Sequence, residues 1–157
     1  MSHVLWMVSL VGILCTAVVF GTDMFFLTVG RPALKLASAS AGTEVMGFFH
    51  FFGDARMPIW GVLAILSNLL LGLLTRGAHR GLYLLSFAVL VIFVVIYNLF
   101  SKPINRLQTE AAKTGRTIEN AKGLQSSWDR SVMLRVPLLS VSILAQTIAL
   151  SGHWAGM

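Results

Sequence analysis

The sequence predicts an all-α integral membrane protein built as a bundle of four transmembrane helices, and three observations lead to this prediction. Hydrophobic residues make up 56% of the 157 residues and charged residues only 11%, which is typical of a chain that lies mostly in lipid. Four long apolar stretches carry almost no charge. Ten of the twelve Lys and Arg residues fall in two of the segments between these stretches, as expected for loops that stay on one side of a membrane.

The predicted membrane spans cover about residues 4–30, 57–75, 81–100 and 132–152. Each approaches or exceeds the roughly 20 residues that an α-helix needs to cross a bilayer. None of these stretches shows the strict alternation of a transmembrane β-strand. We therefore expect a single integral membrane domain over residues 1–157, with little material left for a separate soluble domain.

The segments that connect the spans predict two further helical regions. Gly30-Arg31-Pro32 is a typical helix stop and predicts the end of the first span. From Thr43 to Arg56 the pattern favours an extra interfacial helix in the first loop, with Thr43 as its N-cap. Residues 105–128 predict a polar helical segment between spans three and four, with a break near Gly115.

The distribution of basic residues predicts how the protein is oriented. The first and third loops together hold ten Lys and Arg residues, whereas the second loop holds only Arg76 and Arg80. Because Lys and Arg stay with cytoplasmic loops, we expect loops one and three in the cytoplasm and both termini outside. The expected location is a bacterial inner membrane. The net charge of +6 follows from this asymmetry, and no nucleic-acid partner is predicted.

Ionisable residues near the ends of the spans are candidates for function, because charged groups at membrane depth are costly. Asp23 lies near the cytoplasmic end of the first span, where it either lines a site or pairs with a basic residue such as Arg135. His50 and Asp54 are four residues apart, so a helix places them on one face. A carboxylate beside an imidazole raises its basicity and fixes its tautomer, as a general base requires. The alternative is an interfacial histidine with a local ion pair.

Several other polar residues map to the same end of the bundle. Arg56 is placed to stabilise a developing oxyanion beside that pair. Trp128 and Arg135 are seven residues apart and share one stripe of a helix. They form either an aromatic wall and a cation for an anionic or phenolic ligand, or an interfacial anchor and a snorkelling side chain. Further expected ligand-binding residues are Asn98, Asn105 and Arg130.

Two polar residues fall near the middle of apolar spans. Asn68 lies in the second span and Gln146 in the fourth. Side-chain amides in such positions stabilise helix packing by hydrogen bonding across helices. We therefore expect both residues to make interhelical hydrogen bonds.

The third loop carries a family resemblance. The run from Ser101 to Leu107, SKPINRL, is followed by a polar segment and then by Trp128 and Arg135 at the mouth of the last span. This pattern resembles the anthrone-oxygenase-like family of small four-helix membrane proteins. Pro103, Asn105, Trp128 and Arg135 match the family positions.

The resemblance implies oxidation by O₂ of an activated aromatic methylene, as in the conversion of an anthrone to an anthraquinone. His50, oriented by Asp54, would then act as the base, and Arg56 or Arg135 would hold the phenolate-type anion. The expected cofactor is either none or haem b, with His50 as the axial metal ligand in the second case.

This chain departs from the family pattern at two places. Ser101 stands where the family often has Asn, and Val132-Met133 stands where it often has an Asn-His pair. An alternative to an oxygenase is therefore a non-enzymatic binding or transport protein, such as a lipid or quinone carrier, because Asp23 suits proton-coupled transport equally well. A third alternative is a structural membrane protein whose polar residues satisfy one another. Predicted partners are membrane lipid and a hydrophobic small molecule, and homo-oligomerisation is left open.

Overall fold

The computed structural model describes residues 3–152 and consists almost entirely of helix. Four helices are long and apolar enough to cross a membrane, and we label them α1 (His3–Leu36), α2 (Ala39–Leu74), α3 (Gly77–Lys113) and α4 (Ala121–Gly152). No strand occurs within the described residues. The predicted fold class, an all-α membrane protein with four transmembrane helices, is confirmed.

Helix α1 does not end at the Gly30-Arg31-Pro32 sequence. A π-helical turn over Phe26–Gly30 joins its first part to a last segment that ends at Leu36. In this turn the Arg31 N–H donates to the Phe26 carbonyl, five residues back. Proline lacks an N–H and clashes with the carbonyl four residues before it, and a π-turn shifts the hydrogen bonds by one residue. The predicted helix stop is therefore wrong.

Helix α3 passes a proline in the same way. A π-turn over Tyr97–Ser101 precedes Pro103, and the helix continues to Lys113 instead of ending near residue 100. The Lys102 N–H donates to the carbonyl at the start of this turn. In both helices the proline stands two residues after the end of the π-turn.

The segment from Thr43 to Arg56 is helical, as predicted, but it is not a separate helix. It belongs to α2, which runs without interruption through Pro58. The N-cap of α2 is Ser38, whose Oγ accepts a hydrogen bond from the Ala41 N–H at 3.2 Å. The Thr43 hydroxyl instead donates to a carbonyl of its own helix, so the prediction of Thr43 as the N-cap is wrong.

The break predicted near Gly115 is confirmed. Gly115 has a φ of +64°, a conformation that residues with a Cβ rarely adopt. The chain turns there, and α4 begins at Ala121. Trp128 and Arg135 therefore lie on one uninterrupted helix with the fourth span, which keeps residues seven apart on one face.

The chain divides into two compact units, each built from segments of all four helices. Among the described residues, the first unit comprises residues 3–21, 58–94 and 137–152, and the second comprises residues 22–57 and 95–136. The apolar core of the first unit contains Leu71, Tyr83 and Ala149.

Hydrogen bonds between helices occur inside the first unit. The Gln146 amide donates to Thr16 Oγ1 on α1 and to Ser86 Oγ on α3, both at 3.0 Å, as predicted for this residue. Asn68 instead donates to the Ala64 carbonyl of its own helix, and its Oδ1 has no hydrogen-bond partner within residues 3–152. The expected interhelical bond of Asn68 is therefore not formed.

Candidate functional site

The second unit contains a group of polar side chains that all four helices supply. We call it the buried polar cluster, and it consists of Asp23 on α1, His50 and Asp54 on α2, Tyr97, Ser101, Asn105 and Gln108 on α3, and Trp128, Ser131 and Arg135 on α4. Most of these side chains are buried, and Asp54 and Tyr97 are partly exposed. Buried polar and charged groups are tolerated only where they are paired, so their partners define the site.

Arg135 and Asp23 form a buried ion pair. Nη2 of Arg135 lies 3.0 Å from Oδ1 of Asp23, and the two residues are 3% and 6% exposed. Nη1 of Arg135 donates to Ser101 Oγ at 3.1 Å, and the hydroxyl oxygens of Ser101 and Ser131 are 2.6 Å apart. The pairing of Asp23 with Arg135 that the sequence suggested is confirmed. The second carboxylate oxygen of Asp23, Oδ2, has no hydrogen-bond partner among the described residues.

Asp54 accepts hydrogen bonds from two residues of α3. The Tyr97 hydroxyl donates to Oδ1 of Asp54 at 2.5 Å, and Nδ2 of Asn105 donates to the same oxygen at 2.8 Å. Asn105 Oδ1 in turn accepts from the Trp128 indole N–H at 2.9 Å. The Arg135 guanidinium lies 5.7 Å from the Tyr97 ring centroid and 5.6 Å from that of Trp128. A carboxylate, a phenol and a guanidinium thus lie close together inside the second unit, and this combination of groups suits proton transfer and the binding of an anion.

His50 pairs with Gln108 and not with Asp54. Its Nε2 lies 2.8 Å from Oε1 of Gln108, and its ring centroid is 5.2 Å from that of Trp128. An amide oxygen is an acceptor, so Nε2 of His50 donates in this hydrogen bond. The direct hydrogen bond that the four-residue spacing predicts between His50 and Asp54 is not formed, because each of them turns to a residue of α3.

The hydrogen bonds continue from Gln108 to a cleft. Gln108 Nε2 donates to Gln125 Oε1 at 3.2 Å, and Gln125 Nε2 donates to Asp129 Oδ1 at 2.9 Å. Oδ2 of Asp129 lies 3.5 Å from Nε of Arg31. These four residues line a cleft of about 240 Å³. His50 is therefore one hydrogen bond away from a residue that faces the cleft.

Three residues that the sequence placed at the site lie outside the buried polar cluster. Arg56 and Arg130 are exposed on α2 and α4. Asn98 is also exposed, and its Oδ1 accepts a hydrogen bond from Lys102 at 3.3 Å. The guanidinium that lies within the cluster is that of Arg135. The other predicted residues, Asp23, His50, Asp54, Asn105 and Trp128, are brought together in the second unit.

Sequence reasoning missed three polar residues of α3 that belong to the cluster, namely Tyr97, Ser101 and Gln108. With Asn105 they recur at intervals of three or four residues along one helix. Such spacing places side chains on one face. A polar stripe that continues from the end of an apolar span was therefore the signal that could have identified them.

Nε2 of His50 is not placed to ligate a haem iron. Axial ligation requires a ring nitrogen that faces the iron, whereas Nε2 of His50 faces Gln108 Oε1 and the ring packs against Trp128. Within residues 3–152, no group of three or more His, Cys, Asp or Glu side chains is arranged to hold a metal ion.

The helices and the buried polar cluster together define the class of this protein, an all-α integral membrane protein with paired charges in its interior. Comparisons of the chain with family models, with curated proteins and with solved structures find no match. The resemblance to the anthrone-oxygenase-like family therefore stays a prediction from the sequence pattern. Three of its four matching residues, Asn105, Trp128 and Arg135, neighbour one another in the structure.

Proposed function

We propose that this protein is a membrane oxidoreductase that uses O₂ to oxidise a hydrophobic aromatic or quinone-like substrate. One observation carries the proposal. The family-pattern residues Asn105, Trp128 and Arg135 lie next to a carboxylate–phenol pair, Asp54 and Tyr97. This arrangement combines a base, a proton donor and a cation, which are the groups that oxidation of an acidic methylene requires.

The proposed reaction begins when a base removes a proton from the activated methylene. Asp54 is the base in this proposal, because Nε2 of His50 is held by Gln108 whereas Asp54 is ionisable and oriented by two donors. The Arg135 guanidinium stabilises the enolate that forms. The enolate then transfers electrons to O₂. One oxygen atom becomes the new carbonyl oxygen, and the other leaves as water with the two hydrogens of the methylene.

Apolar surroundings support this role. The Phe26 ring packs edge-on against Trp128, with 5.1 Å between the ring centroids. Exclusion of water strengthens the interaction of Arg135 with an anion and protects a reactive enolate. His50 acts as a positioning residue in the proposal, since it packs against Trp128 and bonds Gln108.

Oxygen uptake by the purified protein in detergent, with anthrone as the substrate, tests the proposal. Asp54→Asn should lower kcat by about 100-fold or more, with a smaller change in KM, because general-base catalysis typically contributes that much. Glu44→Gln is the matched control, since Glu44 is an exposed carboxylate on the same helix, and its uptake should equal that of the wild type. If the wild type consumes oxygen and Asp54→Asn consumes it at the same rate, Asp54 is not the base.

A carrier that binds the same class of ligand without oxidising it is the second candidate. The observation in its favour is the Asp23–Arg135 ion pair, because paired charges inside a membrane protein also mark transport pathways. Binding can be followed through the fluorescence of the four tryptophans, which include Trp128. Ligand-dependent quenching without any wild-type oxygen uptake would favour the carrier, whereas quenching with uptake would favour the oxidoreductase.

We further propose that the first and third loops face the cytoplasm of a bacterial inner membrane. These loops contain ten of the twelve Lys and Arg residues of the chain, which supports this orientation. The test uses single cysteines in a Cys15→Ser background. A membrane-impermeant thiol reagent should label Arg80→Cys in intact cells, and it should label Arg116→Cys only after lysis. The opposite labelling pattern would reverse the orientation.

A further inference from the structure

The cleft of the second unit is lined by an excess of positive charge. Arg31 and Lys35 contribute from the last segment of α1, and Lys122 contributes from the first turn of α4. Asp129 is the carboxylate in its lining. The wall also contains apolar residues such as Leu34, and five neutral polar side chains: Ser38, Thr43, Gln108, Gln125 and Ser126.

The carboxylate in the cleft is already compensated. Asp129 lies 3.5 Å from Nε of Arg31 and accepts a hydrogen bond from Gln125. Lys35 and Lys122 are exposed, and neither forms an ion pair with any residue in the described part of the chain. The cleft therefore presents two ammonium groups that have no counter-ion in the part of the chain that the structure describes.

Two helix N-termini add to this positive potential. Ser38 and Ala39 at the start of α2 line the cleft, and so does Ala121 at the start of α4. These helices contain 36 and 32 residues. The first turn of a helix directs N–H groups and the positive end of its dipole toward a bound anion.

We propose that this cleft binds a phosphate group, carried either by an anionic phospholipid or by a soluble phosphate ester. The cations and hydroxyls around the cleft match the several acceptor oxygens and spread charge of a phosphate. Basic pockets at helix ends of membrane proteins bind lipid headgroups in this way. Leu36, which is 91% exposed and next to Lys35, offers an apolar surface to an acyl chain.

The proposal is independent of the oxidation chemistry. Arg31, Lys35 and Lys122 are not members of the buried polar cluster. Gln108 belongs to both sites, because it lines the cleft and pairs with His50. Phosphate binding can therefore be measured whether or not the protein oxidises a substrate.

Binding to the purified protein in neutral detergent tests the proposal. Native mass spectrometry measures the binding of dioctanoyl phosphatidylglycerol, and calorimetry measures the binding of glycerol phosphate. Lys35→Gln/Lys122→Gln should weaken binding about 25-fold, because each cation near a membrane surface contributes about fivefold. The control Lys102→Gln/Lys113→Gln removes the same charge from exposed positions outside the cleft. It should change the affinity by less than about twofold, because water and salt screen distant charges.

The two ligands separate the two sources of phosphate. If the wild type binds phosphatidylglycerol but not glycerol phosphate, and Lys35→Gln/Lys122→Gln loses that binding, the ligand is a lipid headgroup. If the wild type binds both ligands and the double variant loses the binding of both, the site also accepts soluble phosphate esters. Lys35→Arg/Lys122→Arg should retain binding, which distinguishes lost charge from a defect in folding. An equal loss in the control variant, or wild-type protein that binds neither ligand, would overturn the proposal.

Discussion

Replacing one member of the Asp23–Arg135 ion pair should destabilise the protein far more than replacing both. Arg135→Met leaves a buried carboxylate without its cation, and Asp23→Leu leaves a buried guanidinium without its anion. Removal of one partner from a buried pair typically lowers the free energy of unfolding by about 3–5 kcal/mol. The double variant replaces the pair by apolar side chains of similar volume, and its free energy of unfolding should lie within about 1 kcal/mol of the wild type.

The structure supplies the terms behind these magnitudes. Two unit charges 3.0 Å apart attract each other by about 5 kcal/mol at an effective dielectric constant of about 20. Both residues are almost fully buried, so each has lost hydration worth several kcal/mol. The attraction and the lost hydration nearly cancel in the pair, and only the unfavourable term remains when one partner is removed. Asp23→Leu should be the more costly single change, because a guanidinium does not lose its charge in proteins.

A double-mutant cycle measures this coupling directly. The free energy of unfolding is obtained from SDS titration in mixed micelles, with helix content followed by circular dichroism. We expect a coupling energy of about 3 kcal/mol or more between the two positions. Arg130→Met is the control, because Arg130 is an exposed arginine on the same helix, and its effect should be below about 0.5 kcal/mol. The reasoning would be refuted if Asp23→Leu and Arg135→Met each changed the free energy of unfolding by less than about 0.5 kcal/mol and their effects were additive.

The remaining predictions concern helix contacts and the histidine. Gly47→Ala should lower the free energy of unfolding by about 1–3 kcal/mol, because a Cβ there would overlap the Gln108 carbonyl oxygen. Gly53→Ala, which meets open space on the same helix, should instead raise it by up to about 1 kcal/mol. Gln146→Leu should lower it by about 1 kcal/mol through loss of interhelical hydrogen bonds. These three changes are read from the same SDS titration, in which a Gly47→Ala variant as stable as the wild type would contradict the close contact. Purified protein should show no Soret band, and a Soret band lost in His50→Ala would contradict the geometry at His50.

The number of membrane-spanning helices could be predicted because apolar length is a local property of the chain. Four charge-poor stretches are visible in the sequence without knowledge of what packs against them. The helix ends were harder to predict. A proline disfavours a helix but does not always stop it: α1 and α3 pass their prolines after a π-turn, and α2 and α4 contain Pro58 and Pro137 within α-helix. Composition does not show such a shift in hydrogen bonding.

The charged part of the site could also be predicted, because ionisable residues at the ends of apolar stretches are conspicuous. Asp23, Asp54 and Arg135 were identified in this way. Their neutral partners carry no such signal, and Gln108 is an example. Helical spacing determines the face on which a side chain lies, whereas the neighbouring helix determines its partner. This is why His50 and Asp54 share a face of α2 and yet bond different residues of α3.

The π-turn in α3 explains how Tyr97 and Asn105 both reach the same carboxylate oxygen of Asp54. Tyr97 and Asn105 are eight residues apart, and in a regular α-helix they would point in directions that differ by about 80°. A π-turn accommodates one additional residue, so the two side chains take the relation of residues seven apart, which differ by about 20°. Both then donate to Oδ1 of Asp54. The π-turn that precedes Pro103 therefore also brings Tyr97 and Asn105 to the carboxylate on which the proposed chemistry depends.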